Sequence, residues 1–244
     1  MISTEAICSI CNVSQCFRSP DDFWSCRDAL VTSTCPMNGC VTRERALATA
    51  LFGLFDRQAI SDYLIHEAAP SGRGLSVWLS RNCRKYTGSG YFPESPLGSL
   101  VGGLRNEDLE SQTFPDESLD IVIHADVLEH LFEPFKALNE IYRTLKPGGT
   151  CVFAAPTEGA RFESLQVAFR GESGDVRIVG TPEYHGNPQS DVGSLVTWKY
   201  GYDLPLLITR MTPFDVEVRR WQDRSVAVMG TMTEVYILRK NNGV

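Results

Sequence analysis

The sequence predicts an α/β fold built on a doubly wound, mostly parallel sheet, and three observations carry that expectation. Leu119 to His124 is a short apolar run rich in Ile and Val, introduced by the polar turn Pro115-Asp116-Glu117-Ser118, as a strand buried on both faces requires. The period then changes. Phe135, Leu138, Ile141, Tyr142 and Leu145 recur at three- and four-residue spacing, which makes one apolar stripe on a helix, and Cys151 to Ala155 is the next apolar strand. Strand, crossover helix and parallel strand form one right-handed unit of such a sheet. Near the C-terminus, Phe214 to Trp221 alternates and Thr233 to Leu238 is β-rich, with Gln222 to Met232 long enough to pair them antiparallel.

The chain has 244 residues, enough for one full α/β domain and a small appendage. A net charge of −7 gives no basic footprint and argues against a nucleic-acid substrate. No apolar run approaches the length needed to span a membrane, and MISTEAICSIC lacks the basic start and apolar core of a signal peptide, so a cytoplasmic location is expected.

Taken in order, the chain opens on cysteines. Six of the eight lie in the first forty residues. In a cytosolic chain such a cluster points to metal more than to disulfides. Cys8-x-x-Cys11 has the spacing of half a zinc knuckle, and Cys35-Pro-Met-Asn-Gly-Cys40 supplies a second pair across a tight turn. Cys8, Cys11, Cys35 and Cys40 are therefore expected to close a tetrahedral, structural Zn2+ site, with Cys26 and then Cys16 as substitutes. A segment this short needs such a staple to be ordered. Residues 1–45 are read as this cysteine-rich segment and 46–244 as the main domain. Arg43 to Phe55 reads as an amphipathic helix packed on the edge of that domain, its first-turn arginines solvated.

Further on, Pro134 suits a helix start, Lys146 the cation-favouring helix end, and Pro147-Gly148-Gly149 the stop. FPDESLDIVIHADVLEHL followed by EIYRTLKPGG resembles the second half of a class I S-adenosylmethionine-dependent methyltransferase domain, type 11-like. Asp120, Val127 to His130, and Leu145 to Gly149 match that family's motif in order and spacing. The resemblance implies a seven-stranded sheet over about residues 60 to 240, finished by an antiparallel hairpin, with S-adenosylmethionine as cofactor. The first segment also resembles the cysteine knuckle that precedes this domain in some bacterial enzymes, where a Cys-Pro pair is followed by Arg-x-Arg, here Arg43-Glu44-Arg45; the gap in the second cysteine pair is four residues rather than two.

The resemblance also assigns cofactor contacts. Glu67 ends the first strand of the domain at the acidic position near the methionine end, and Gly72 and Gly74 supply the glycine turn, while Ala69 and Pro70 replace its earlier glycines. Lys85 to Ser89 is the second strand, and Gly90 stands where the family carries the ribose-binding acid; Glu94 is the nearest substitute. Asp108 and Leu109 match the adenine position. Ala125 and Asp126 follow the fourth strand, beside the methyl group.

Methyl transfer needs an aligned nucleophile and, for a hydroxyl or amine, a base. His130 is one candidate, just past the fourth strand. His185 is the other, in the turn-rich stretch Thr181 to Pro188, with Phe162, Phe169, Trp198 and Tyr200 as aromatic walls of an acceptor pocket. The expected reaction is methyl transfer to a small molecule, a sugar or secondary metabolite, with no nucleic-acid or membrane partner. A non-catalytic member of the fold, or a binding module acting through the cysteine segment, is the alternative. The oligomeric state is not legible.

Overall fold

The computed structural model describes residues 1–20, 26–32, 34–171, 173–187 and 190–242. Its elements run β1 (Ile2–Ile7), β2 (Ser14–Ser19), α1 (Cys26–Ala29), α2 (Thr42–Leu54), β3 (Leu64–Ala68), α3 (Gly74–Asn82), β4 (Lys85–Gly90), β5 (Leu100–Val101), β6 (Leu104–Asn106) and β7 (Leu119–Ala125). There follow α4 (Pro134–Thr144), β8 (Leu145–Ala154), β9 (Leu165–Gln166), β10 (Ala168–Arg170), β11 (Val176–Ile178), β12 (Tyr184–Asn187), β13 (Ser190–Leu195), β14 (Trp198–Lys199), α5 (Leu204–Met211), β15 (Asp215–Arg219) and β16 (Val235–Arg239).

The central sheet has the order β15-β16-β8-β7-β3-β4-β6-β5. β8, β7, β3, β4 and β6 are parallel, and β15, β16 and β5 run antiparallel to their neighbours. The doubly wound class and the closing hairpin thus stand. The sheet has eight strands rather than the seven expected. The extra one is β5, folded onto β6 through Gly102 and Gly103, whose φ of +58° and +88° suit the tight turn of a two-residue hairpin.

Local pairs set the edges. Asp120 Oδ2 accepts the Leu64 N–H at 2.8 Å, and Oδ1 pairs with Lys146 Nζ at 2.7 Å. Lys146 is therefore spent on the neighbouring strand and not on the helix end, since α4 stops at Thr144 and β8 begins at once. One core layer holds Ile65, Ile121, Val152 and Ile237 of the sheet under α2 and α3, and the same cluster takes in Cys8, Ile10, Phe17, Leu30, Cys35 and Cys40. The other lies beneath α4 and α5, with Leu138, Ile141, Leu204 and Ile208.

α2 covers the sheet rather than lying at its edge, and its arginines are not solvated. Arg45 is fully buried. Its guanidinium donates to the carbonyls of Ala227, Leu30 and Cys40 and stacks over Phe17 at 4.3 Å. Donors matched by three fixed carbonyls, the Cys40 sulfur and the Thr42 hydroxyl make such burial tolerable.

Two strand histidines are buried as well. His66 Nε2 meets Ser89 Oγ at 2.7 Å, whereas among the described residues neither ring nitrogen of His124 has a partner. His124 stacks on Phe153, centroids 4.6 Å apart. Burial pushes both down to about 3. A histidine held neutral contributes stability that is fully present above its ordinary 6.5 and lost as the pH falls toward 3. We expect His124→Leu to raise stability by about 1–3 kcal/mol near neutrality, because two orphaned nitrogens are removed, and to soften the acid limb. Urea unfolding of both proteins from pH 7 to 4 checks this.

Candidate functional site

The carboxyl edge of the parallel strands brings together most of the residues the resemblance singled out. β3 ends at Ala68, and Ala69 follows at φ +53° with its N–H on the Ser89 carbonyl at 2.8 Å. Ala69 thus keeps the left-handed turn that glycine usually supplies, at about 1–2 kcal/mol of strain. Gly90 ends β4, and its carbonyl accepts the Glu107 N–H at 2.9 Å. Asp108 Oδ1 accepts the Glu110 N–H at 2.9 Å, and Leu109 is buried against Ala68 and Ala137. Ala125 ends β7, paired with Ala154.

Two predicted contacts are engaged within the protein. Glu67 is buried, its carboxylate accepting from Ser76 Oγ and from the Tyr86 hydroxyl, both at 2.6 Å. Burial pushes it up to about 7 against the pull of those two donors. Gly74 sits at φ +56° and donates its N–H to the carbonyls of Met37 and Gly39, at 2.7 and 3.0 Å. A side chain there would strike the Glu44 carboxylate, which is held by Val41 N–H and Arg73. The cysteine-bearing loop therefore caps the start of α3. Gly72 has open space around it, and its carbonyl takes an N–H from Asn38 at 3.1 Å. A cavity of ≈ 650 Å³ borders this turn, walled by Pro70, Gly72, Tyr86, Gly88, Leu104 and Arg105.

Asp126 is also taken. It follows β7 at φ +54°, a conformation aspartate tolerates. Its Oδ1 pairs with Arg27, and its Oδ2 with Arg43 Nε at 2.7 Å. Sequence reasoning missed this pairing, because Arg27 and Asp126 lie 99 residues apart.

The two candidate histidines meet around a carboxylate. The backbone of 128–132 is clamped by the segment between β12 and α5. Thr197 donates through N–H and Oγ1 to the Glu129 carbonyl at 2.8 and 2.9 Å, and the Tyr200 hydroxyl donates to Leu128 at 2.9 Å. His130 Nδ1 donates to the Leu195 carbonyl at 2.9 Å, which leaves Nε2 facing Glu129 Oε1 at 3.7 Å. His185 lies on a hairpin strand, β12, rather than in a loop. Its Nε2 reaches Glu183 at 3.4 Å and its Nδ1 stands 3.8 Å from the same Glu129 oxygen. Glu129 and Glu183 hold His185 above its ordinary range, and burial opposes them. Of the expected aromatic walls, Trp198 stacks on Tyr200, whereas Phe162 is exposed and Phe169 lies against Arg177. Behind β12, a second cavity of ≈ 310 Å³ is walled by Arg161, Ile178, Glu183, Val196 and Lys199.

Three of the four expected zinc thiols converge. The sulfurs of Cys8, Cys35 and Cys40 lie within 4.8 Å of one another. Cys11 falls outside that limit and accepts from Gln15 Nε2 at 3.2 Å. The Cys40 thiol, 3.8 Å away, is the main group holding Cys8 below the ordinary thiol range. Cys16 is exposed beside Ser3, and the Cys26 side chain lies outside the described residues.

Residues 74–153 match the sequence profile of a family described as a methyltransferase domain. A curated relative named as a probable S-adenosylmethionine-dependent methyltransferase, from Mycolicibacterium smegmatis, is 34% identical over 53 residues, 22% of this chain and 21% of that one. The alignment thus spans about a fifth of the relative. An S-adenosylmethionine-dependent methyltransferase structure from Mesorhizobium loti aligns with 80% of this chain and 97% of its own, at 16% identity and a TM-score of 0.49. A second, from Methanosarcina mazei, aligns over 80% and 98% at 16% identity, with a TM-score of 0.47. Among the described residues, no helix is long and apolar enough to cross a membrane.

The state of Glu67 can be read from pH. A carboxyl raised from 4.5 to about 7 contributes stability that is complete below 4.5 and lost as the pH rises through 7. Glu67→Gln should remove that loss, so the variant gains on the native protein between pH 4.5 and 8, by up to about 3 kcal/mol. Urea unfolding of both across this range measures the difference.

Proposed function

We propose that the chain is an S-adenosylmethionine-dependent methyltransferase acting on a hydroxyl or amine of a small molecule in the cytoplasm. The observation that carries this reading is the sheet order. β7 and β3 flank the switch point of a doubly wound sheet, where ligands bind at the carboxyl ends of strands, and the methyltransferase-domain match ends in the strand beside it.

The cofactor's fit can be judged residue by residue. Ala69 preserves the turn and Gly72 leaves room, and Gly90, Asp108 and Leu109, at or past the ends of β4 and β6, would take the nucleoside side. Bound there, S-adenosylmethionine supplies an electrophilic methyl group on a sulfonium that leaves as a neutral thioether. The chain's own groups do the rest. Asp108 would accept from the adenine amino group and Leu109 would pack on the ring. His185 or His130, both beside Glu129, would take the acceptor proton. Cys8, Cys35 and Cys40, with Cys11 drawn in, would hold a structural Zn2+; four thiolates leave no open position.

A second reading has its own support. Asp126 is neutralised by Arg27 and Arg43, and the Gly74 N–H is capped by the Met37 and Gly39 carbonyls. Both features favour a methyltransferase-fold protein in which the cysteine segment closes the crevice and catalysis is absent.

Calorimetric titration with S-adenosylhomocysteine separates the two. We expect heat of binding and a raised melting temperature, with Asp108→Ala weakening binding about ten- to a hundredfold, as loss of a charge-assisted hydrogen bond requires. Absence of heat and thermal shift favours the second reading. For the zinc, the purified chain should carry a thiolate-bound equivalent that is lost on Cys40→Ser, and a strong chelator should lower the melting temperature; a chain without thiolate-bound metal and of unchanged stability refutes it.

A further inference from the structure

The Glu129 side chain is a buried carboxylate with no hydrogen bond to answer it among the described residues. It is 1% exposed, and among the described residues neither carboxylate oxygen has a hydrogen-bond partner. An isolated carboxylate so placed is costly unless a cation answers it. A protonated His185 is one such cation, though at 3.8 Å its Nδ1 is too far for a hydrogen bond; as neutral imidazoles the two nearest side chains offer lone pairs instead. The Leu195 carbonyl can only accept, so His130 carries its proton on Nδ1 and presents a bare Nε2 to Glu129. The Glu183 carboxylate likewise holds the proton of His185 on Nε2, leaving Nδ1 bare toward the same oxygen. Three acceptor atoms thus cluster here, all within 4.8 Å of one another.

We propose that Glu129, His130 and His185 bind a divalent first-row transition-metal ion. Two imidazoles and one carboxylate suit zinc, iron, cobalt or manganese, whereas magnesium and calcium prefer all-oxygen sets. The separations of 3.7 and 3.8 Å exceed by a few tenths of an ångström the ligand spacing of about 3.4 Å that a tetrahedral ion with bonds of 2.0–2.2 Å sets. The outer contacts are those of metal-bound histidines, each donating its second N–H to a carbonyl or carboxylate. The backbone is pinned to match: Thr197 holds the Glu129 carbonyl, and Gly193, at φ +85°, lets β13 approach the His185 carbonyl so closely that a Cβ would collide with it.

Three protein ligands leave a coordination position for water or a hydroxyl, as catalytic zinc sites do and closed structural ones do not. An oxygen held there is acidified, which would prepare an acceptor hydroxyl for methylation. That use of the site rests on the methyl-transfer reading; the binding of the ion does not.

Titration of the metal-free full chain with Co2+, followed by absorption and calorimetry, tests the site. The cysteine cluster should give intense near-ultraviolet thiolate-to-cobalt bands. A further equivalent should bind without such bands. His185→Ala should weaken that equivalent at least tenfold and leave the thiolate bands intact. Glu129→Gln, which keeps the shape, should abolish it, and Glu183→Gln should weaken it about tenfold. Uptake of cobalt at the thiolates alone, or identical titrations for the native chain and His185→Ala, would overturn the proposal. A chain that takes up this equivalent yet gives no heat with S-adenosylhomocysteine would keep the metal site and lose only its catalytic use.

Discussion

Two guanidinium groups on one carboxylate tie the N-terminal segment to the working edge of the sheet. Arg27 and Arg43 converge on Asp126, the first residue past β7. Both guanidinium groups are largely buried, so solvent screens these pairs less than surface ones. Around them the rest falls into place. α2 lies over the sheet, and Arg45 ties it to the loop before β16 through the Ala227 carbonyl. The loop that carries Cys35 and Cys40 caps the first N–H of α3. The cysteine cluster and the crevice are consequently one construction, and ordering the thiols orders the crevice wall.

A second set of contacts builds the opposite wall. The segment between β8 and α5 is a run of two-stranded ribbons, and isolated ribbons are marginal in water. Hydrogen bonds from Thr197, Tyr200 and Gln166 to the backbone of 128–132 anchor them. Those same bonds bury Glu129 and bring His185 beside His130. The chemistry of that corner thus depends on a clamp made far along the chain.

Much of this was legible in the sequence. Leu119 to His124 and Cys151 to Ala155 announced themselves as apolar runs, because a strand covered on both faces has no polar side to show; the start of β8 at Leu145 did not, since Lys146-Pro147-Gly148-Gly149 reads as a helix stop. α4 was legible from its stripe, and the last hairpin from its alternation. β5 was not, since two residues carry no period. β12 escaped because it is short and shows no apolar alternation, so Tyr184 and His185 read as turn. Arg45 read as solvated because a charged side chain at a helix start usually is; its burial depends on carbonyls of Leu30 and Ala227, which no local pattern predicts. Asp126 looked like a cofactor contact, and its partner Arg27 was hidden by sequence distance. Glu129 is the sharpest case: its place after the fourth strand was legible, but its burial and its meeting with His185 depend on Thr197 and β12, far along the chain.

The central claim is that the tips of β3, β4, β6 and β7 form one ligand crevice despite Gly90 and the engaged Asp126. Hydrogen exchange of the backbone amides, with and without S-adenosylhomocysteine, tests it most directly. The account predicts slowed exchange together at residues 69–72, 90–92, 107–109 and 125–127, one cluster from each tip. Unchanged exchange at all four, or protection confined to the ribbons between β8 and α5, would contradict it.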